Sequence, residues 1–386
     1  MSKTGRHAIL ADTVFDGMAM HRGCAIIIEG AAIVGLAAKG DLPVEMPRRD
    51  LPEGVWLAPG FIDVQVNGGG DVLFNDTPTA AGIARMVAAH RRFGTTGLLP
   101  TLISDSAAKM REASAAVSAA SGVSPSVLGI HFEGPFLSPE RAGVHDPAMF
   151  RPPTPDDLDL LCARRGAATV VTLAPERVPP GFIASLVRAG VRIALGHSMA
   201  SYEETRAAIA DGLTGFTHLF NAMRPLSARD PGPIAAALEE KRAFYGLIVD
   251  GEHVAPAMLR LALRGAGKPM LVTDAMPPVG GTREDFSLAG KPVRVQGGRC
   301  TTADGTLAGS ALDMASAVRN CVQLLDMTLP DALRLASAVP AAFLGLGDRL
   351  GHIAPGCRAD MVALEPAAVR VLATWVAGEA SADSLA

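Results

Sequence analysis

From Phe61 to about Met276 the chain alternates short apolar strand signals with alanine-rich helical ones, and eight such units in tandem leave few folds open to it. The strand candidates are FIDVQVN, TTGLLPT, VLGIHFEGP, ATVVTLAP, VRIALGHS, TGFTHLF, YGLIVDGEH and PMLVTDAM, rich in large apolar or β-branched residues and bounded by Gly, Pro or polar residues. Between most of them lie amphipathic stretches such as Thr79 to Phe93, Asp105 to Ala120, Ser201 to Asp211 and Ala255 to Arg264. This pattern predicts an α/β chain with a (β/α)8 TIM-type barrel. A doubly wound sheet is the competitor, but polar residues from the third, fifth, sixth and eighth strands converge more readily in a closed barrel.

Outside the repeat the character changes. Residues 1–57 carry short alternating runs, AILADTVF and CAIIIEGAAIVGLA, and the tail GHIAPGCRADMVALEP reads alike. Chain ends often lie close together, so 1–57 and 346–386 are expected to build one small, discontinuous, β-sandwich-like lobe, with 58–345 as the barrel. A Gly- and Thr-rich stretch over 280–310 reads as a hairpin excursion after the last strand.

Charge and cysteine content narrow the function classes. With 35 basic and 39 acidic residues interspersed and a net charge of −4, there is no basic stripe for nucleic acid. No apolar run approaches the ~20 residues of a membrane span, and the N-terminus lacks a signal-peptide core. Five scattered cysteines, odd in number and without a CxxC pair, suit a reduced cytoplasmic protein better than a thiolate metal site.

The chemistry gathers at strand ends. Glu133, His197, His218 and Asp274 each lie at or just past the carboxyl end of an apolar run, where barrel enzymes keep their reacting groups. Alone, each His reads as a hydrogen-bonded structural residue and Asp274 as a cap. Together, a Glu and two His suit one divalent metal with a position left for water, and a carboxylate enclosed in HFEGPF is costly to bury unpartnered. Asp274 is then the candidate proton carrier.

An ordered set of segments resembles the amidohydrolase superfamily and, within it, the N-acetylglucosamine-6-phosphate deacetylases: APGFIDVQVNGGG, FGTTGLLPT, GIHFEGPFLSPERAGVHDP, LGHSMA, THLFNAM, RDPG, VDGEHV, VTDAM and the returning GHIAPGCRADMVALEP. The resemblance implies Glu133, His197 and His218 as metal ligands, Asp274 as the acid–base group and His145 as a contact to the acetyl oxygen. Many superfamily members hold a second metal on His-x-His in the first strand. Here Gln65 and Asn67 stand in that place, and neutral amides are poorer ligands, which implies one metal, Zn²⁺ first with Fe²⁺ or Co²⁺ as alternatives.

The implied reaction is metal-dependent hydrolysis of the acetamide of N-acetyl-D-glucosamine 6-phosphate to D-glucosamine 6-phosphate and acetate, in amino-sugar metabolism. Alternatives are the N-acetylgalactosamine epimer, another N-acyl substrate, or a noncatalytic barrel serving as a scaffold. By resemblance, Asn221 and Ala222 contact the sugar and Arg229 and His253 the phosphate, with Arg229 reaching the neighbouring subunit's site in a homodimer. Val144 replaces an Ala found in many relatives and is expected to narrow the pocket.

Overall fold

The computed structural model describes residues 5–163 and 167–381. The chain divides into two compact units, one from the described residues of Met1–Asp63, His90–Gly97 and Met314–Ala386, the other from Val64–Ala89 and Leu98–Asp313.

The expected barrel is present as a near-closed sheet of eight parallel strands. These are β1 (Phe61–Val66), β2 (Thr95–Ile103), β3 (Gly129–Glu133), β4 (Ala168–Leu173), β5 (Arg192–Leu195), β6 (Gly215–Phe216), β7 (Phe244–Leu247) and β8 (Lys268–Leu271), hydrogen-bonded in sequence order. A parallel bridge from Val66 to Ala275 carries the pairing round from β1 to the exit of β8. Every residue of β1, β2 and β3 is buried, which is why these strands read as continuous apolar runs with little alternation. Gly129 is needed where β3 meets β4, since a Cβ there would come within 1.9 Å of the Ala168 carbonyl oxygen.

The connecting helices start where the sequence supplies caps. Ser201 and Glu204 form a reciprocal capping box at the start of Tyr202–Ala210, and Thr154 with Asp157 does the same for Pro155–Cys162. Ser106 caps Ala107–Ser121. Several strands are shorter than their apolar runs: in TGFTHLF only Gly215–Phe216 pairs, because the backbone turns to positive φ at His218 and again at Phe220.

The predicted hairpin after β8 is larger, a four-stranded antiparallel meander of Asp285–Leu288, Lys291–Gln296, Arg299–Thr302 and Leu307–Ser310. Leu288, Val293, Cys300 and Ala308 pack it onto Leu73, Ile103 and Met276. Its end returns to the exit of β8, where the Ser310 N–H donates to the Asp274 carbonyl at 3.0 Å and the Ser310 hydroxyl donates to the Thr273 carbonyl at 2.6 Å.

In the other unit both chain ends build one mixed sheet, as the terminal patterns predict. Met361–Glu365 lies antiparallel to Trp56–Pro59, which pairs with Arg6–Phe15, and the sheet continues through Met20–Glu29 to Ala32–Ala38. Ile9, Ile26, Ile28, Leu57, Met361 and Trp375 share its core. Three helices, Met314–Leu325, Leu329–Ala336 and Ala338–Leu344, belong to the same unit. No helix among the described residues is long and apolar enough to cross a membrane.

Candidate active site

The strand ends aim their polar residues by leaving regular geometry. Glu133 closes β3, whereas His197, His218 and Asp274 follow β5, β6 and β8 with φ of 49°, 30° and 53°. Ala222 adds a φ of 48°. Such conformations cost non-glycine residues roughly 1–3 kcal/mol each and persist where surrounding structure enforces them. Here the enforcing bonds are visible: the His197 carbonyl accepts from Ser138 N–H at 2.9 Å, and Asp274 N–H donates to the Gln65 carbonyl at 3.1 Å.

Oε1 of Glu133 lies 3.0 Å from Nε2 of His197 and 3.0 Å from Nε2 of His218, and the two Nε2 atoms are 3.1 Å apart. All three side chains are buried. His197 Nδ1–H donates to the Arg141 carbonyl at 2.7 Å, which fixes the tautomer and turns a bare Nε2 lone pair toward the other two groups. Burial alone would raise the Glu133 carboxyl, but hydrogen bonds and charge from His197 and His218 hold it well below its usual range. Burial likewise works against a charged His218, and Glu133 overrides it, raising His218 above its ordinary value. Three electron-pair donors converging on one buried point fit a divalent cation, and among the described residues this is the group with metal-ligand spacing.

Asp274 sits beside this cluster and is poised differently. Burial first, then the Glu133 charge, push its carboxyl up to about 6. Asn67 Nδ2 donates to its Oδ1 at 2.6 Å and Gln65 Nε2 donates to the same oxygen at 3.1 Å, while Gln65 also donates to Glu133 Oε2 at 3.1 Å. The two amides standing in the first strand's His-x-His place therefore orient carboxylates. Oδ2 of Asp274 has no hydrogen-bond partner among the described residues, which leaves it free to exchange a proton.

His145 lies against His197 with ring centroids 4.4 Å apart and the rings tilted by 53°. The Ser104 N–H donates to its Nδ1 at 3.3 Å, and the Ser104 hydroxyl lies 2.8 Å from the same atom. Nδ1 is thus the acceptor and Nε2 carries the hydrogen. Burial and the neighbouring His197 lower His145 to about 3, so the ring stays neutral and its Nε2–H is a donor at any ordinary pH. A third layer lies beneath: His131 bridges the Val64 carbonyl and the Thr172 hydroxyl at 3.0 and 2.7 Å, and burial brings it to about 4.

Above these groups opens a cavity of ≈ 410 Å³. Asn67, Val144, His145, Asn221, Ala222 and His253 all line it, together with Glu133, His197, His218 and Asp274. His253 Nδ1 pairs with Asp250 Oδ2 at 2.5 Å; burial would raise Asp250, but His253 outweighs it and keeps the carboxyl below its usual range.

The profile of the amidohydrolase family matches residues 56–381. The chain belongs to the amidohydrolase family. An N-acetylgalactosamine-6-phosphate deacetylase of Shewanella sp. strain ANA-3 is 43% identical over 92% of this chain and 91% of its own length. Among solved structures, an N-acetylglucosamine-6-phosphate deacetylase from Pasteurella multocida superposes with a TM-score of 0.94 at 34% identity, covering 97% of this chain and 99% of that one. A mutant N-acetyl-D-glucosamine-6-phosphate deacetylase from Mycobacterium smegmatis, in complex with N-acetyl-D-glucosamine-6-phosphate, gives 0.89 at 37%, with 97% and 99% covered.

Of the positions singled out in this amidohydrolase's sequence, the structure leaves two outside the cavity wall. Gln65 stands behind it, acting through Glu133 and Asp274. Arg229 is exposed on the loop before Gly232–Glu239. Not foreseen from the sequence are Ser104, 41 residues from its partner His145, and the meander residues Arg299, Thr306 and Leu307, which reach the cavity from the stretch expected to form only a hairpin excursion. The one local signal there is Gly309: its φ is +60°, and a Cβ would approach the Asp274 carbonyl oxygen to 2.8 Å, so the return strand packs directly on the site.

Proposed function

We propose that the chain hydrolyses the acetamide of an N-acetylhexosamine 6-phosphate, releasing acetate and the free amino-sugar phosphate, with N-acetyl-D-glucosamine 6-phosphate as the substrate that the motif resemblance favours. The observation that carries this reading is the convergence of Glu133, His197 and His218 beside a carboxyl raised to about 6. A divalent metal held by these three residues, one per subunit and Zn²⁺ by preference, would supply Lewis acidity to the carbonyl and acidity to water.

The chain's own residues do the rest. Asp274 accepts a proton as water oxygen bonds to the acyl carbon, and returns it to the sugar nitrogen as the C–N bond breaks. The Nε2–H of His145 donates to the acyl oxygen as its negative charge grows. Asn221 and the backbone at Ala222 position the sugar, and His253, oriented by Asp250, faces the phosphate. Arg229, exposed on its own subunit, would serve the site of a second copy in a homodimer. No covalent enzyme intermediate is needed. All five cysteines are free, in keeping with a reducing, cytoplasmic setting.

The galactosamine epimer is a second reading, favoured by the 43% identity to the Shewanella relative. Side-by-side kcat/KM for the two N-acetylhexosamine 6-phosphates decides between them. A preference for the galactosamine compound reverses the epimer assignment, and turnover of neither removes the hexosamine phosphate reading.

A further inference from the structure

We propose that Arg299 is this chain's own phosphate contact, a specificity-determining cation supplied to the site in cis by the meander; the inference rests on the hexosamine-phosphate reading above. Among the described residues lining the cavity, Arg299 is the one Arg or Lys, while Glu133 and Asp274 bring negative charge. A phosphate dianion entering this space without a cation would lose its hydration and meet carboxylates. His253 is paired through Nδ1 with the Asp250 carboxylate, so the two together bring no net positive charge.

The fold presents Arg299 at the end of a paired hairpin strand. Gln296 and Arg299 pair across a two-residue hairpin turn at Gly297 and Gly298, whose φ values of +59° and +83° suit only glycine comfortably. Cys300, the next residue, is fully buried in the meander's core, so strand alternation sends Arg299 to the opposite face. Its Nε lies 3.1 Å from Oε2 of Glu252, the neighbour of His253. The two terminal nitrogens have no partner among the described residues, which leaves the fork able to hold two phosphate oxygens. With Arg299 and Glu252 51% and 39% exposed, the pair adds little to stability and serves better to orient the guanidinium than to brace the sheet.

The test compares the metal-loaded wild type with Arg299→Leu and Arg299→Lys on N-acetylglucosamine 6-phosphate, its galactosamine epimer and both unphosphorylated sugars. Losing a charge-assisted phosphate contact is expected to raise KM for the phosphorylated substrates about 10- to 100-fold with kcat held, to leave kcat/KM for the unphosphorylated sugars unchanged, and to be partly rescued by Lys. Equal losses on phosphorylated and unphosphorylated sugars would make Arg299 a strut, and unchanged KM would make it a solvated residue; either overturns the proposal. If the wild type turns over neither hexosamine phosphate, the functional reading fails separately, and calorimetry with inorganic phosphate decides the role of Arg299. Binding weakened about tenfold in Arg299→Leu supports it. Equal binding, or none in either protein, overturns it.

Discussion

Asn67 donates its amide hydrogen to Oδ1 of Asp274 over 2.6 Å, so that one oxygen of this carboxyl is held and the other is left for chemistry. Replacing Asp274 by Asn keeps the shape and an acceptor for Asn67 and Gln65 but removes the exchangeable proton. Asp274→Asn should retain its metal while kcat falls by about 10²- to 10⁴-fold. Metal analysis alongside steady-state kinetics checks both halves, and near-wild-type turnover would remove Asp274 as proton carrier.

The raised carboxyl has a stability consequence in the metal-free protein. Its folded-state pKa of about 6 lies above the unfolded value near 4, so the folded state holds the proton more tightly. That contribution is present in full below about pH 4 and is lost as pH rises through about 6. Chelated Asp274→Asn should therefore be more stable than chelated wild type at pH 8, by on the order of 1–3 kcal/mol, with the difference shrinking toward pH 4. Denaturation midpoints at the two pH values test it; a pH-independent difference would place the effect elsewhere.

His197 is held by the Arg141 carbonyl with its Nε2 facing Glu133 and His218. In His197→Ala the donor set drops to two, and metal content should fall well below one ion per chain. Undiminished stoichiometry would exclude His197 as a ligand.

Metal uptake should also depend on pH. Glu133 raises His218 above its ordinary value, so a proton competes for the same atoms, and metal affinity is expected to weaken as pH falls through the imidazole range with protons released on binding. Competition with a chromophoric chelator between pH 8 and about pH 5.5 follows it. A flat profile would contradict ligation by His218.

Val144 lines the cavity and packs against the cluster of Ile103 and Met276. Val144→Ala should favour a larger acyl group, raising kcat/KM for an N-propionyl substrate relative to N-acetyl by roughly tenfold or less, the scale of a methylene in an apolar pocket. An unchanged ratio would show that Val144 does not set acyl size.

The barrel and its polar strand ends were legible because β1 to β3 are buried throughout and their apolar runs end on chemistry-bearing residues such as Glu133. Terminal alternation likewise announced the discontinuous sheet, in which Met361–Glu365 pairs with Trp56–Pro59. What stayed hidden depends on tertiary contact. Positive φ at His197, His218 and Asp274 is uncommon for any non-glycine residue and is set by contacts distant in the chain, so the local sequence does not announce it. Ser104, just past β2, meets His145 in the loop after β3, and Arg299 reaches the cavity through a register set by glycine turns. Gln65 and Asn67 were recognisable as poor ligands, but only the structure gives them carboxylates to orient.

Glu133, His197, His218 and Asp274 together are proposed to make the chain a metal-dependent deacetylase. The most direct test is acetate release from N-acetylglucosamine 6-phosphate and its galactosamine epimer by purified protein, before chelation, after it, and after one equivalent of Zn²⁺ is returned. Release should be lost on chelation and restored by the single equivalent. Acetate release that persists at full rate in the metal-free protein, or no release from either substrate with metal bound, would contradict it.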